Sequence, residues 1–69
     1  MSKAEITLLT EAALRETLIV TTEIESIMGM TPGEIKIDGK RIAYNRKAAI
    51  KVRNGKMQPD VYLERYQID

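Results

Sequence analysis

The spacing of apolar positions changes character three times along the chain. From Thr10 to Leu18 it is helical. Thr10 suits an N-cap, Glu11 follows in the first turn, and Ala13, Leu14 and Leu18 share one face. The run Leu18-Ile19-Val20-Thr21-Thr22 is largely β-branched and predicts a helix end. Thr22-Glu23-Ile24-Glu25 has the form of a capping box and predicts a second start, with Ile24, Ile27 and Met28 as the apolar face. Gly29 supplies a left-handed stop, after which Thr31, Pro32 and Glu34 cap another helix. Two short helices about a glycine turn are the helix-turn-helix layout. On this reading Met28 and Met30 are core gap-fillers. Ahead of it, Ile6, Leu8 and Leu9 suit a short strand or an apolar lead-in.

Alternation with a period of two then takes over. Glu34-Ile-Lys-Ile37, Asp38-Gly39 and Lys40-Arg-Ile-Ala-Tyr44 predict a β-hairpin with a type I′ turn. That register sets Ile37 across from Lys40, Lys36 from Arg41 and Ile35 from Ile42. One face carries Ile35, Ile37, Ile42 and Tyr44. The other brings two cations together, which destabilises a hairpin unless an anion lies between them. Asn45 is a cap for a helix over 46–53 with Ala49, Ile50 and Val52 inward, closed by Asn54-Gly55. A second hairpin about Asn54-Gly55 competes with it. Pro59-Asp60 restarts the chain. Val61, Tyr62, Leu63 and Tyr66 suit one or two helical turns or a final strand, with the two tyrosines as core or dimer contacts.

The 69 residues (7.8 kDa, 43% hydrophobic) make one domain, 1–69, with 1–9 and 59–69 as flexible or accessory segments. A core this small is marginal without staples, so the missing stability is expected from idealised packing or from self-association into a homo-oligomer. The chain has no Cys and no His, which removes thiol chemistry, disulfides, zinc–thiolate sites, Ser-His catalysis and imidazole ligation. No glycine-rich phosphate loop occurs, and Asp60, Glu64 and Asp69 lack the spacing of a calcium loop. A non-enzymatic binding module is the expectation, with no cofactor, no metal and no small-molecule substrate. No stretch has the length of a membrane span, and the opening Met-Ser-Lys-Ala-Glu lacks a signal-peptide pattern, so the expected setting is cytoplasmic.

The formal net charge of +1 hides a segregation. Residues 1–35 carry two cations against six glutamates, net −4. Residues 36–56 carry eight of the eleven Lys and Arg against Asp38 alone, net +7, and residues 57–69 return to −2. Such a distribution suits a phosphate-contacting surface. The DNA-binding candidates are Lys36, Lys40 and Arg41 on the hairpin and Arg46, Lys47, Lys51 and Arg53 on the helix after it, with double-stranded DNA as the partner. Each has a plainer reading beside it. Lysines on a hairpin edge deter aggregation, a cationic helix face is often only solvated, and an acidic half can attract a basic half within the fold.

The order of parts resembles small winged-helix excisionases and MerR-like phage regulators. Residues 21–32, Thr-Thr-Glu-Ile-Glu-Ser-Ile-Met-Gly-Met-Thr-Pro, look like their helix-turn-helix. Residues 38–52, from Asp38-Gly39 through Ile42-Ala43-Tyr44-Asn45 to Ala49-Ile50, look like their wing and following capped helix. About 30 of the 69 residues are covered. The sequence departs from that pattern in two places. Glu25 stands where a small residue is usual, and Asp38-Gly39 leaves only one or two turns for a recognition helix. The resemblance implies an α+β fold, a small winged helix-turn-helix with one β-hairpin wing. It also implies a regulator of phage or mobile-element type that bends DNA in recombination or repression. The alternative fold is helices packed on a small antiparallel sheet. The alternative function is a protein-binding module or small inhibitor that docks an acidic partner or itself.

Overall fold

A computed structural model describes residues 3–68, with side chains from Thr10 onward. Its elements are α1 (Lys3–Met28), β1 (Glu34–Ile37), β2 (Lys40–Ala43), α2 (Arg46–Arg53) and α3 (Pro59–Tyr66). The fold is α+β: three helices and a two-strand antiparallel hairpin. That content is common to the winged-helix expectation and to its alternative.

One helix of 26 residues replaces the two short ones expected over 10–28. A run of β-branched residues costs only tenths of a kcal/mol per position in a helix, and packing outweighs it. Thr10, Leu14, Leu18, Thr22 and Glu25 recur at steps of four and three, and all five are buried. The expected capping box therefore does not form. Thr22 Oγ1 turns back to the Ile19 carbonyl at 2.8 Å, inside a continuous helix. Helix α1 stops at Gly29 (φ 69°), whose N–H reaches the Glu25 carbonyl at 2.8 Å.

The helix expected after Thr31 is also absent, so 22–36 is not a helix-turn-helix. Thr31 donates its hydroxyl to the Glu25 carboxylate rather than capping. The segment then enters β1 directly, and the Tyr44 N–H to Gly33 carbonyl bond (3.1 Å) lengthens the hairpin past its assigned strands. Met28 and Met30 are 64% and 69% exposed, not gap-fillers. At the start of the chain, Lys3–Thr10 belongs to α1, not to a strand.

The hairpin has the expected register, with Ile35 across from Ile42, Lys36 from Arg41 and Ile37 from Lys40. Its turn uses positive φ at both Asp38 (51°) and Gly39 (78°), as type I′ demands. The Asp38 carboxylate accepts from the Thr10 hydroxyl at 3.1 Å, which ties the tip to α1.

Helix α2 prevails over the second hairpin. Asn45 accepts the Ala48 N–H at 3.0 Å as its N-cap. At the other end the Gly55 N–H reaches the Val52 carbonyl (3.1 Å) and the Lys56 N–H the Lys51 carbonyl (2.8 Å). These are the two bonds of a Schellman closure, and Gly55 takes the left-handed φ of 75° that it requires. Helix α3 is pinned by Tyr62, which is fully buried. Its hydroxyl donates to the Ala43 carbonyl and accepts the Asn45 N–H, both at 2.9 Å. Beyond α3, Gln67 pairs with Ile42, and the Ile68 N–H reaches the Arg41 carbonyl at 2.8 Å. The chain end thereby covers the free edge of β2.

The core is Leu14, Leu18, Ile37, Ile42, Tyr44, Ala48, Ala49, Val52 and Tyr62. Every element contributes to it. Leu18→Ala, at a fully buried position, is expected to cost about 3 kcal/mol, read as a lower urea midpoint with an unchanged slope.

Candidate nucleic-acid interface

The seven candidate cations fall into two groups once the fold is in place. The three candidate arginines are engaged with residues of the acidic segment 1–35. Glu34, Lys36 and Arg41 share the outward face of the hairpin, and Glu34 lies diagonally across from Arg41. Arg41 Nε and Nη2 meet the two Glu34 carboxylate oxygens at 2.9 and 3.3 Å. The hydrogen bond from Arg41 holds the Glu34 carboxyl below its ordinary pKa. The anion that the Lys36–Arg41 pair calls for is thus supplied from within the hairpin.

Arg46 and Arg53 lie at the two ends of α2, along the flank that faces α1. Arg46 Nε is 3.3 Å from Glu25 Oε1. Arg53 Nη1 donates to Thr22 Oγ1 at 3.4 Å. Glu25 itself is only 7% exposed. It also accepts the Tyr44 hydroxyl at 3.2 Å and the Thr31 hydroxyl. One carboxylate therefore joins α1, the segment entering β1, the end of β2 and the start of α2. Buried charge is tolerated only when its lone pairs are met in this way.

The lysines behave differently. Lys36 lies on the outward face of the hairpin and Lys40 beside its turn. Lys47 and Lys51 are one helical turn apart on α2, away from buried Ala49 and from the two arginines. All four are exposed, and none has a carboxylate partner among the described residues. Lys51 and Arg53 in the last turn of α2 are favoured by the helix dipole. Arg46 and Lys47 in the first turn are not; no residue of that turn is acidic, and it is Glu25 of α1 that answers Arg46.

Sequence reasoning missed Glu25 and Glu34 as members of this surface. Glu34 was legible, because the register that pairs Lys36 with Arg41 also sets residue 34 diagonal to 41. Glu25 was legible only for an uninterrupted α1, where it continues the buried series from Leu14, Leu18 and Thr22.

Tyr44 reports on the network around Glu25. Burial, reinforced by its hydrogen bond to Glu25, pushes its hydroxyl up to about 12. Burial pushes the Tyr62 hydroxyl up as well. A raised folded-state pKa adds stability that is whole below the unfolded value near 10 and is lost as pH rises through the folded value. Stability should therefore decline between about pH 10 and 12. In a near-ultraviolet tyrosinate titration, Tyr44→Phe should remove the step at about 12.

Among the described residues no helix is long and apolar enough to cross a membrane. No protein-family model, no curated protein and no solved structure matches this chain.

Proposed function

We propose that this chain is a small, non-enzymatic DNA-binding regulatory protein that grips duplex phosphates with the lysines of its hairpin and of α2. The observation that carries this reading is the division of the basic residues. Arg41 and Arg46 are ion-paired with carboxylates, whereas Lys36, Lys40, Lys47 and Lys51 stand exposed with no ion pair within 4 Å among the described residues; Arg53 meets only the Thr22 hydroxyl and keeps its charge. A lysine ammonium on a flexible stem is a point charge suited to phosphate oxygens. Such contacts position a protein on DNA and carry no base information. With 22–36 not forming a helix-turn-helix, the reading implies weak sequence preference and strong salt dependence.

A second reading, a module that docks another copy of itself, is favoured by a separate observation: the apolar side chains left exposed at the end of α1. The two readings use different surfaces and are compatible.

The test is the affinity for random-sequence duplex DNA as a function of salt. Lys47→Ala with Lys51→Ala should weaken binding and flatten the slope of log affinity against log salt by about two, one unit per lost phosphate contact. Lys36→Ala with Lys40→Ala should do the same. Arg41→Ala should change the slope less than either pair, because its charge already answers Glu34. Slopes that neither lysine pair alters, or absence of binding at low salt, would refute the assignment.

A further inference from the structure

Helix α1 carries a second stripe that the fold uses only at its start, where Ala13 packs against the core. Ala13, Thr17, Val20, Ile24 and Ile27 recur at alternating steps of four and three. At 100° per residue they lie more than a quarter-turn away from the buried series Thr10, Leu14, Leu18, Thr22, Glu25. Their exposure grows toward the end of the helix. Val20 is 45% exposed, Ile24 49% and Ile27 83%, with Met28 at 64% and Met30 at 69% beside them. Five such side chains on one end of a domain this size form a patch of roughly a few hundred Å², large enough to mark an interaction surface.

An average step of 3.5 residues is the seam of a coiled coil. The surface relief fits that use. Ala13, Glu16, Thr17 and Val20, spaced i, i+3, i+4 and i+7, frame an open hollow of about 350 Å³ with Thr21. A second hollow of about 330 Å³ also borders on Thr21 and runs on past Ile24 and Met28 to Met30 and Pro32. Diamonds of four residues are the holes that receive a partner helix's knobs.

We infer that this stripe is the interface of a parallel homodimer, α1 against α1 of a second copy. The flanking charges select the direction. Glu16 and Glu23 line one side of the seam, and neutral Thr21 and Met28 line the other. Two parallel copies set each glutamate row against the partner's neutral row. Antiparallel copies bring the glutamate rows together, at a cost in like-charge repulsion. The need for a partner is the chain's own. Nine residues make the buried apolar core, and the 69-residue sequence has no cysteine to staple it. Burying the exposed half of α1 adds apolar contact that the monomer lacks.

The absence of cysteine permits a clean test. The mass of the unmodified protein, measured by light scattering over a range of concentrations, should be twice the 7.8 kDa of one chain. Ile24→Glu with Ile27→Glu should give a monomer of unchanged helical circular dichroism, because both side chains project from the folded monomer. Ile27→Cys should oxidise to a disulfide-linked dimer, since facing seam positions in a parallel pair come within bridging distance. Arg15→Cys, on the opposite side of α1, should not. A monomeric mass at every concentration overturns the interface. A dimer in which Ile27→Cys fails to cross-link overturns the parallel arrangement. Neither outcome bears on DNA binding by the lysines, which is read separately by its salt slope.

Discussion

The structure depends on one face of one helix. A chain this short cannot bury two independent layers, so β1, α2 and α3 settle on α1, and β2 is held through β1 and α3. The hairpin tip bonds at Thr10, the hairpin and α2 pack over Leu14 and Leu18, and the arginines at either end of α2 reach Thr22 and Glu25. Tyr62 then locks α3 onto the junction between β2 and α2 with two hydrogen bonds, to the Ala43 carbonyl and from the Asn45 N–H. Interrupting α1 at Leu18, where the β-branched run begins, would divide that surface in two.

Glu25 shows how the same constraint shapes the electrostatics. A carboxylate on the buried face of α1 has to be answered, and Tyr44, Thr31 and Arg46 answer it. The bond to Glu25 offsets the charge of Arg46, and Glu34 does the same for Arg41, although both side chains stay exposed. Among the described residues, the candidate cations without an ion pair are the four lysines and Arg53. The net charge of +7 over 36–56 therefore overstates the field available to a polyanion, and the remaining part is carried mainly by flexible ammonium groups rather than by forked guanidinium groups.

Local elements were legible in the sequence and long-range ones were not. The hairpin follows from Asp38-Gly39 and the alternation on either side of it, and α2 begins where Asn45 caps and ends where Gly55 turns, as expected. These signals involve residues a few positions apart. The misreadings came from signals that were real but weak. Thr22-Glu23-Ile24-Glu25 has the composition of a capping box, yet its threonine and its glutamate both serve partners elsewhere. Thr31-Pro32 has the composition of a helix start, yet the threonine hydroxyl is taken by Glu25. In each case a cap worth about 1 kcal/mol lost to burial of a whole helix face.

The sequence by itself determined the α+β content, the register and turn of the hairpin and the concentration of positive charge in the middle third, and it offered the caps of α2 beside a competing second hairpin. All of these rest on neighbour interactions that any conformation of the segment would favour. Only the tertiary structure decided that α1 runs unbroken to Met28, that Glu25 is internal, and that Arg41 and Arg46 are ion-paired while Lys36, Lys40, Lys47 and Lys51 have no ion pair among the described residues. Those outcomes depend on which surfaces meet across the fold. Residues such as Glu25 and Tyr44, 19 positions apart, come into contact only after the chain has closed on α1.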